Sequence, residues 1–104
     1  MAKYLLGFKG GSMPEGEAAQ AQVMAAWEAW FTSLGGAVAD KGNPSSKSRT
    51  ISPGGSVGPE GAPSLSGYTI LSADSLEAAV TLARGCPVLA GGASVEVIET
   101  FDVM

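Results

Sequence analysis

The 104-residue sequence contains no histidine. That removes the commonest general acid–base side chain near neutral pH and the imidazole ligand of most zinc sites. It also rules out any Ser/His/Asp or Cys/His nucleophile arrangement. There is one cysteine, Cys86. A lone thiol makes no internal disulfide and no CxxC metal knuckle. Without a disulfide framework, a reducing cytoplasm is the expected compartment. Basic residues are scarce: six Lys and Arg stand against ten Asp and Glu, a net charge of −4. With no dense basic cluster, a nucleic-acid backbone is not an expected partner. Long apolar runs are missing too. The apolar part of the N-terminal MAKYLLGFKGG is too short for a signal peptide, and no segment approaches a membrane span. No cofactor and no metal are expected from this residue set.

What is present fits one domain spanning residues 1–104. Residues 2–9 (AKYLLGFK) alternate, with Tyr4, Leu6 and Phe8 on one face and Leu5 and Gly7 on the other. Apolar groups on both faces predict a central strand. GGSMPEG then reads as a loop. From Glu15 to Leu34 the period becomes helical, with Val23, Met24, Trp27, Trp30, Phe31 and Leu34 forming one broad stripe. Gly35-Gly36 ends it. Residues 37–42 predict a short strand. The Gly/Ser/Pro-rich segment 43–65 follows, in which only Ser48–Ser52 has the β-propensity of a short strand. A loop of that length in a small domain is functional or mobile. SGYTILSA predicts another strand. Asp74 with Glu77 then reads as a capping box for a helix whose apolar face is Leu76, Ala79, Val80 and Ala83. Arg84 suits the negative end of the helix dipole, Gly85 stops the helix and Pro87 prevents its resumption. SVEVIETFDVM, residues 94–104, predicts a last strand with Val95, Val97, Phe101 and Val103 on one face.

The order β-α-β-(β)-β-α-β predicts a ferredoxin-like βαββαβ α+β sandwich. Two right-handed crossovers put both helices on one face of an antiparallel sheet. The other face stays bare, and its apolar residues favour a homodimer through that face.

The chain resembles the YCII-related family, in particular its DGPF-domain branch, over nearly its whole length. The resemblance is carried by KYLLGF, by W-x-x-W (Trp27, Trp30) before L-G-G, by a Gly-rich middle, and most specifically by SGYTILSADSLEAAVTLARGCP followed by SVEVIE. It implies a ferredoxin-like subunit that pairs into a dimeric α+β barrel. The DGPF tetrapeptide itself is not present; GPEGAPS, Gly58 to Ser64, falls roughly where it would be. YCII proteins look as if they use a His–Asp pair in a cleft. Asp40 matches the acidic partner, and the chain has no histidine to complete the pair.

Each candidate site residue has a structural reading beside its functional one. Asp40 is the candidate catalytic acid or base, and Lys41 a neighbour in the same cleft. The alternative is a solvated strand end, favoured because an ordinary Asp titrates at about 4 and is a poor base at neutral pH. Trp27 and Trp30 would stack on a flat ligand, although helical spacing favours the core. Arg49, with Lys47, would bind a carboxylate or phosphate, or would simply be exposed. Tyr68, like Tyr4, would offer a phenol or pack across strands. Cys86 needs a neighbouring base to act as a nucleophile, so packing is favoured. PGGSVGPEG matches neither GxGxxG nor GxxxxGK[ST] and opens no helix. Glu96 and Glu99 face opposite sides of a strand and hold no metal together. The expectation is therefore a small homodimeric domain binding a small molecule between sheet and helices. The alternatives are an enzyme using Asp40 on a YCII-like scaffold and a purely structural dimerisation module.

Overall fold

A computed structural model describes residues 2–103. Strand β1 (Ala2–Lys9) leads through a glycine-rich loop into helix α1 (Glu17–Leu34). Strands β2 (Val38–Asp40) and β3 (Gly67–Ala73) follow, then helix α2 (Leu76–Ala83) and strand β4 (Ser94–Glu99). The strands form one four-stranded sheet in the order β2-β3-β1-β4. Every pairing is antiparallel. This α+β arrangement is compatible with a ferredoxin-like fold. As its two-sided pattern predicted, β1 is central.

Register assigns the two faces. Tyr4, Leu6 and Phe8 pair with Leu71, Thr69 and Gly67 on one side and with Glu99, Val97 and Val95 on the other. This face carries the core: Leu6, Phe8, Leu71, Trp30, Ala83 and Cys86 are buried together. Tyr4, Ala73 and Ala79 form a second buried group beside it. On the opposite face Leu5 stands between Ile70 and Ile98, and Gly7 between Tyr68 and Glu96. Lys9 and Glu96 form an ion pair at 2.9 Å on that face.

The two helices use their apolar positions unequally. Ala79 and Ala83 of α2 are buried. Of the stripe expected on α1 only Trp30 is buried; Val23, Trp27, Phe31 and Leu34 are half-buried, and Met24 is exposed. Helix α1 packs mainly against the Pro87–Gly91 turn and the turn at its own C-terminus, not along the length of a strand. Gly35 ends α1, as expected, at a φ of 56°.

Two boundaries differ from the sequence reading. The cap of α2 is Ser75, whose hydroxyl accepts the amide of Ala78 at 3.1 Å, one residue after the expected Asp74. Strand β4 ends at Glu99 and does not run to 104. The amide of Thr100 still donates to Lys3, but the paired ladder with β1 stops at Tyr4 and Glu99, although β1 itself continues to Ala2. Phe101 and Val103 are therefore exposed and not on a buried face, while Met104 lies outside the described residues.

Residues 43–66 form an irregular two-stranded arm. Pro44 bridges Gly67, Ser48 bridges Gly61, and Ile51 bridges Val57. The short strand expected at Ser48–Ser52 is reduced to two of these single bridges. At the base, the amide of Ser66 donates to Phe8, and Leu65 lies against Gly7 on the open sheet face. No residue of the arm is buried.

Candidate functional site

The aromatic side chains of α1 are spaced to meet one another. Trp27, Trp30 and Phe31 lie on adjoining turns, and their ring centroids are 5.3–5.7 Å apart. Phe8 of β1 continues the cluster, 5.6 Å from Trp27. Trp30 faces inward, and its indole Nε1 donates to the carbonyl of Leu82 at 3.2 Å. Gly85 allows that approach, since a Cβ there would sit 3.2 Å from the indole. Trp30 is thus a core residue that ties α1 to the end of α2. Trp27 is the bridge between this core and the half-buried Phe31.

Lys41, just after β2, places its ammonium 5.5 Å from the centre of the Phe31 ring. A cation over a ring face is attracted by the ring quadrupole. Beside this pair lies a shallow depression of 330 Å³, lined by Glu28, Phe31, Thr32 and Lys41. Glu28, Phe31 and Thr32 are spaced three and four residues apart and so share one helix face. The site therefore combines an aromatic surface, a cation, a carboxylate and a hydroxyl, drawn from α1 and from the end of β2. A second depression, of 350 Å³, is lined by Leu76, Glu77, Val80, Thr81 and Arg84. All of these belong to the outer face of α2 and its cap, with no group converging from another element. The α1–β2 depression is the better candidate for that reason.

The remaining candidates are dispersed. Asp40 pairs with Ile70 at the β2 edge, and its carboxylate accepts the amide of Gly42 at 2.8 Å. That is a local turn closed by an Asp side chain. Tyr68 lies on the open face opposite Gly7. Arg49 is on the arm, where its Nε donates to the carbonyl of Gly58 at 2.9 Å. Lys47, also on the arm, pairs with Glu60 at 3.6 Å.

Burial pushes the Cys86 thiol up to about 11, so the nucleophilic thiolate is disfavoured at neutral pH. The Tyr4 phenol is also raised, first by burial and then by its hydrogen bond to the Glu99 carboxylate at 3.1 Å. Glu96 is on the other face, paired with Lys9. Among the described residues no group of three His, Cys, Asp or Glu side chains is placed to hold a metal ion. None of the described helices is long and apolar enough to cross a membrane.

Sequence reasoning named Trp27, Trp30 and Lys41 but passed over Glu28, Phe31 and Thr32 as lining groups. The available signal was their three-and-four spacing, just before a strand that ends in Lys41. No protein-family model matches the chain, and no curated protein matches it.

Proposed function

We propose that the chain is a homodimeric binding module that holds a small molecule at the α1–β2 depression without turning it over. The observation that carries the binding reading is the convergence of Lys41, Phe31, Glu28 and Thr32 from two elements. This chemistry suits a flat or aromatic ligand with a carboxylate: the ring stacks on Phe31 and the anion meets the Lys41 ammonium. The volume is at the low end for ligand sites, so the ligand is small. Holding rather than catalysis is supported by the engagement of Asp40 with Gly42 and by the high pKa of Cys86. A YCII-like scaffold, a ferredoxin-like subunit paired into an α+β barrel, is part of the same proposal.

Support for the dimer comes from surface and mass. The chain exposes 7096 Å² for 10.4 kDa. A compact monomer of that mass exposes about 5,400 Å², leaving an excess of about 1,700 Å². A standard interface covers about 800 Å² per partner, and obligate dimers cover more. The row Ile70–Leu5–Ile98 on the open face is the natural place for part of that excess to be covered.

The test is a screen of small aromatic carboxylates read by tryptophan fluorescence, since Trp27 adjoins Phe31. Saturable quenching that is lost in Lys41→Ala and Phe31→Ala supports the reading. Quenching that survives both substitutions, or turnover of a ligand that stops in Asp40→Asn, overturns it.

A further inference from the structure

The arm, residues 43–66, is not explained by the fold that carries it. It adds no buried residue to the core. Its backbone is joined by single bridges and a turn in which the amide of Gly55 donates to Ser52. Two-stranded ribbons with no packed face are marginal in water. Yet its tip carries large apolar groups: Ile51 is 68% exposed and Val57 51% exposed. The molecule as a whole is extended. The radius of gyration is 15.3 Å, against about 13 Å for a compact chain of this length. The molecule measures 44 × 40 × 17 Å.

Charge is compatible with a second copy as the occupant. Lys47 and Arg49 against Glu60 make the arm net basic. The rest of the chain has four basic and nine acidic residues, a net −5 for the body against +1 for the arm. A second copy of this chain therefore offers the arm an acidic surface, and the relation is reciprocal across a two-fold axis. The base points the same way, because Leu65 lies on the open sheet face against Gly7. The arm thus starts from the surface through which the dimer is proposed to form.

We infer that the arm of each protomer reaches across to the second copy, with Ile51 and Val57 as its partner-facing contacts and its small net positive charge, left after Lys47 pairs with Glu60, facing the partner's net-acidic body. This rests on the dimer reading above. It adds that the contact is a reciprocal clasp as well as a sheet-to-sheet face. The clasp accounts for a ribbon with an apolar tip, for the charge asymmetry and for part of the surface excess.

The test uses the full chain with Ile51→Cys, labelled with a benzophenone maleimide; Cys86 is buried and stays unlabelled in the native protein. Light and heavy-nitrogen chains are mixed, refolded together and irradiated, and the products are read by mass spectrometry alongside the mass in solution. Products joining a light chain to a heavy one support the clasp. In parallel, Ile51→Asp with Val57→Asp is expected to weaken the dimer about tenfold or more, as loss of buried apolar anchors does. Added salt is expected to weaken the wild-type dimer more than the variant with Lys47→Gln and Arg49→Gln. A dimer whose label joins only to its own chain, or to nothing, overturns the clasp and leaves the sheet dimer standing. A monomer at every concentration overturns both.

Discussion

Gly42 shows how one residue joins the site to the sheet. It sits at a φ of 74°, and a Cβ there would run into the carbonyl oxygen of Tyr68. Its amide also closes the turn with Asp40. Gly42→Ala is expected to cost more than about 1–3 kcal/mol, the strain of a non-glycine residue in that region, because the Tyr68 backbone must also move, and is read as a lower urea midpoint. Gly7→Ala is expected to cost less, because the nearest atom is a methyl of the flexible Leu65 side chain at 2.9 Å. Cys86 gives a second residue-level expectation. Burial raises its thiol from an ordinary 9.0 to about 11. Between those values the unfolded chain has released this proton and the folded chain retains it. The folded state is therefore favoured in full below pH 9 and loses stability as the pH rises towards 11. Urea unfolding at pH 8 and 10.5 checks this, and the slope should be shallower in Cys86→Ala. The raised Tyr4 phenol acts in the same direction at higher pH, so the comparison with that variant isolates the thiol.

Among the elements, α2 is the clearest case of a local signal read one residue off. Asp74 and Ser75 are both good caps, and a sequence shows neither φ nor which oxygen reaches the helix. Ser75 is extended and accepts the Ala78 amide, so Glu77 lies in the first turn and not at the far corner of a capping box. Ser75→Ala is expected to cost about 1 kcal/mol, and Asp74→Ala less than about 0.5 kcal/mol, by thermal unfolding. Equal losses would restore the earlier cap. Helix α1 illustrates the opposite case. Its stripe is real, but burial depends on what lies beneath, and α1 rests mainly on the short Pro87–Gly91 turn, which leaves most of the stripe only half covered. Strand β4 stops at Glu99 although β1 continues to Ala2, so the apolar alternation of Phe101 and Val103 is not matched by pairing.

At the scale of the molecule, stability and association separate into regions. The amides of β1 and β3 are central in the sheet and are expected to exchange slowest. The arm has no buried residue and is expected to exchange fast in a monomer. Hydrogen exchange on the wild type and on Leu5→Asp with Ile70→Asp checks this. The open-face substitutions are expected to lower the mass in solution to that of one chain. Arm amides should be protected in the wild type and unprotected in the variant. Equal arm exchange in both would separate the arm from assembly.

The periodicity of β1, β3 and the two helices was legible because it is written in neighbours two, three or four residues apart. The same holds for the glycine stops and for the exclusions that follow from one cysteine and no histidine. These depend on chain chemistry alone. Where the pairing of β4 stops, which of two adjacent oxygens caps α2, and that Phe31 and Glu28 rather than Asp40 line the depression with Lys41 depend on groups brought together from distant parts of the chain. Segment 43–66 belongs with them: its composition marked a long loop, but only pairing across the sheet edge made it an arm.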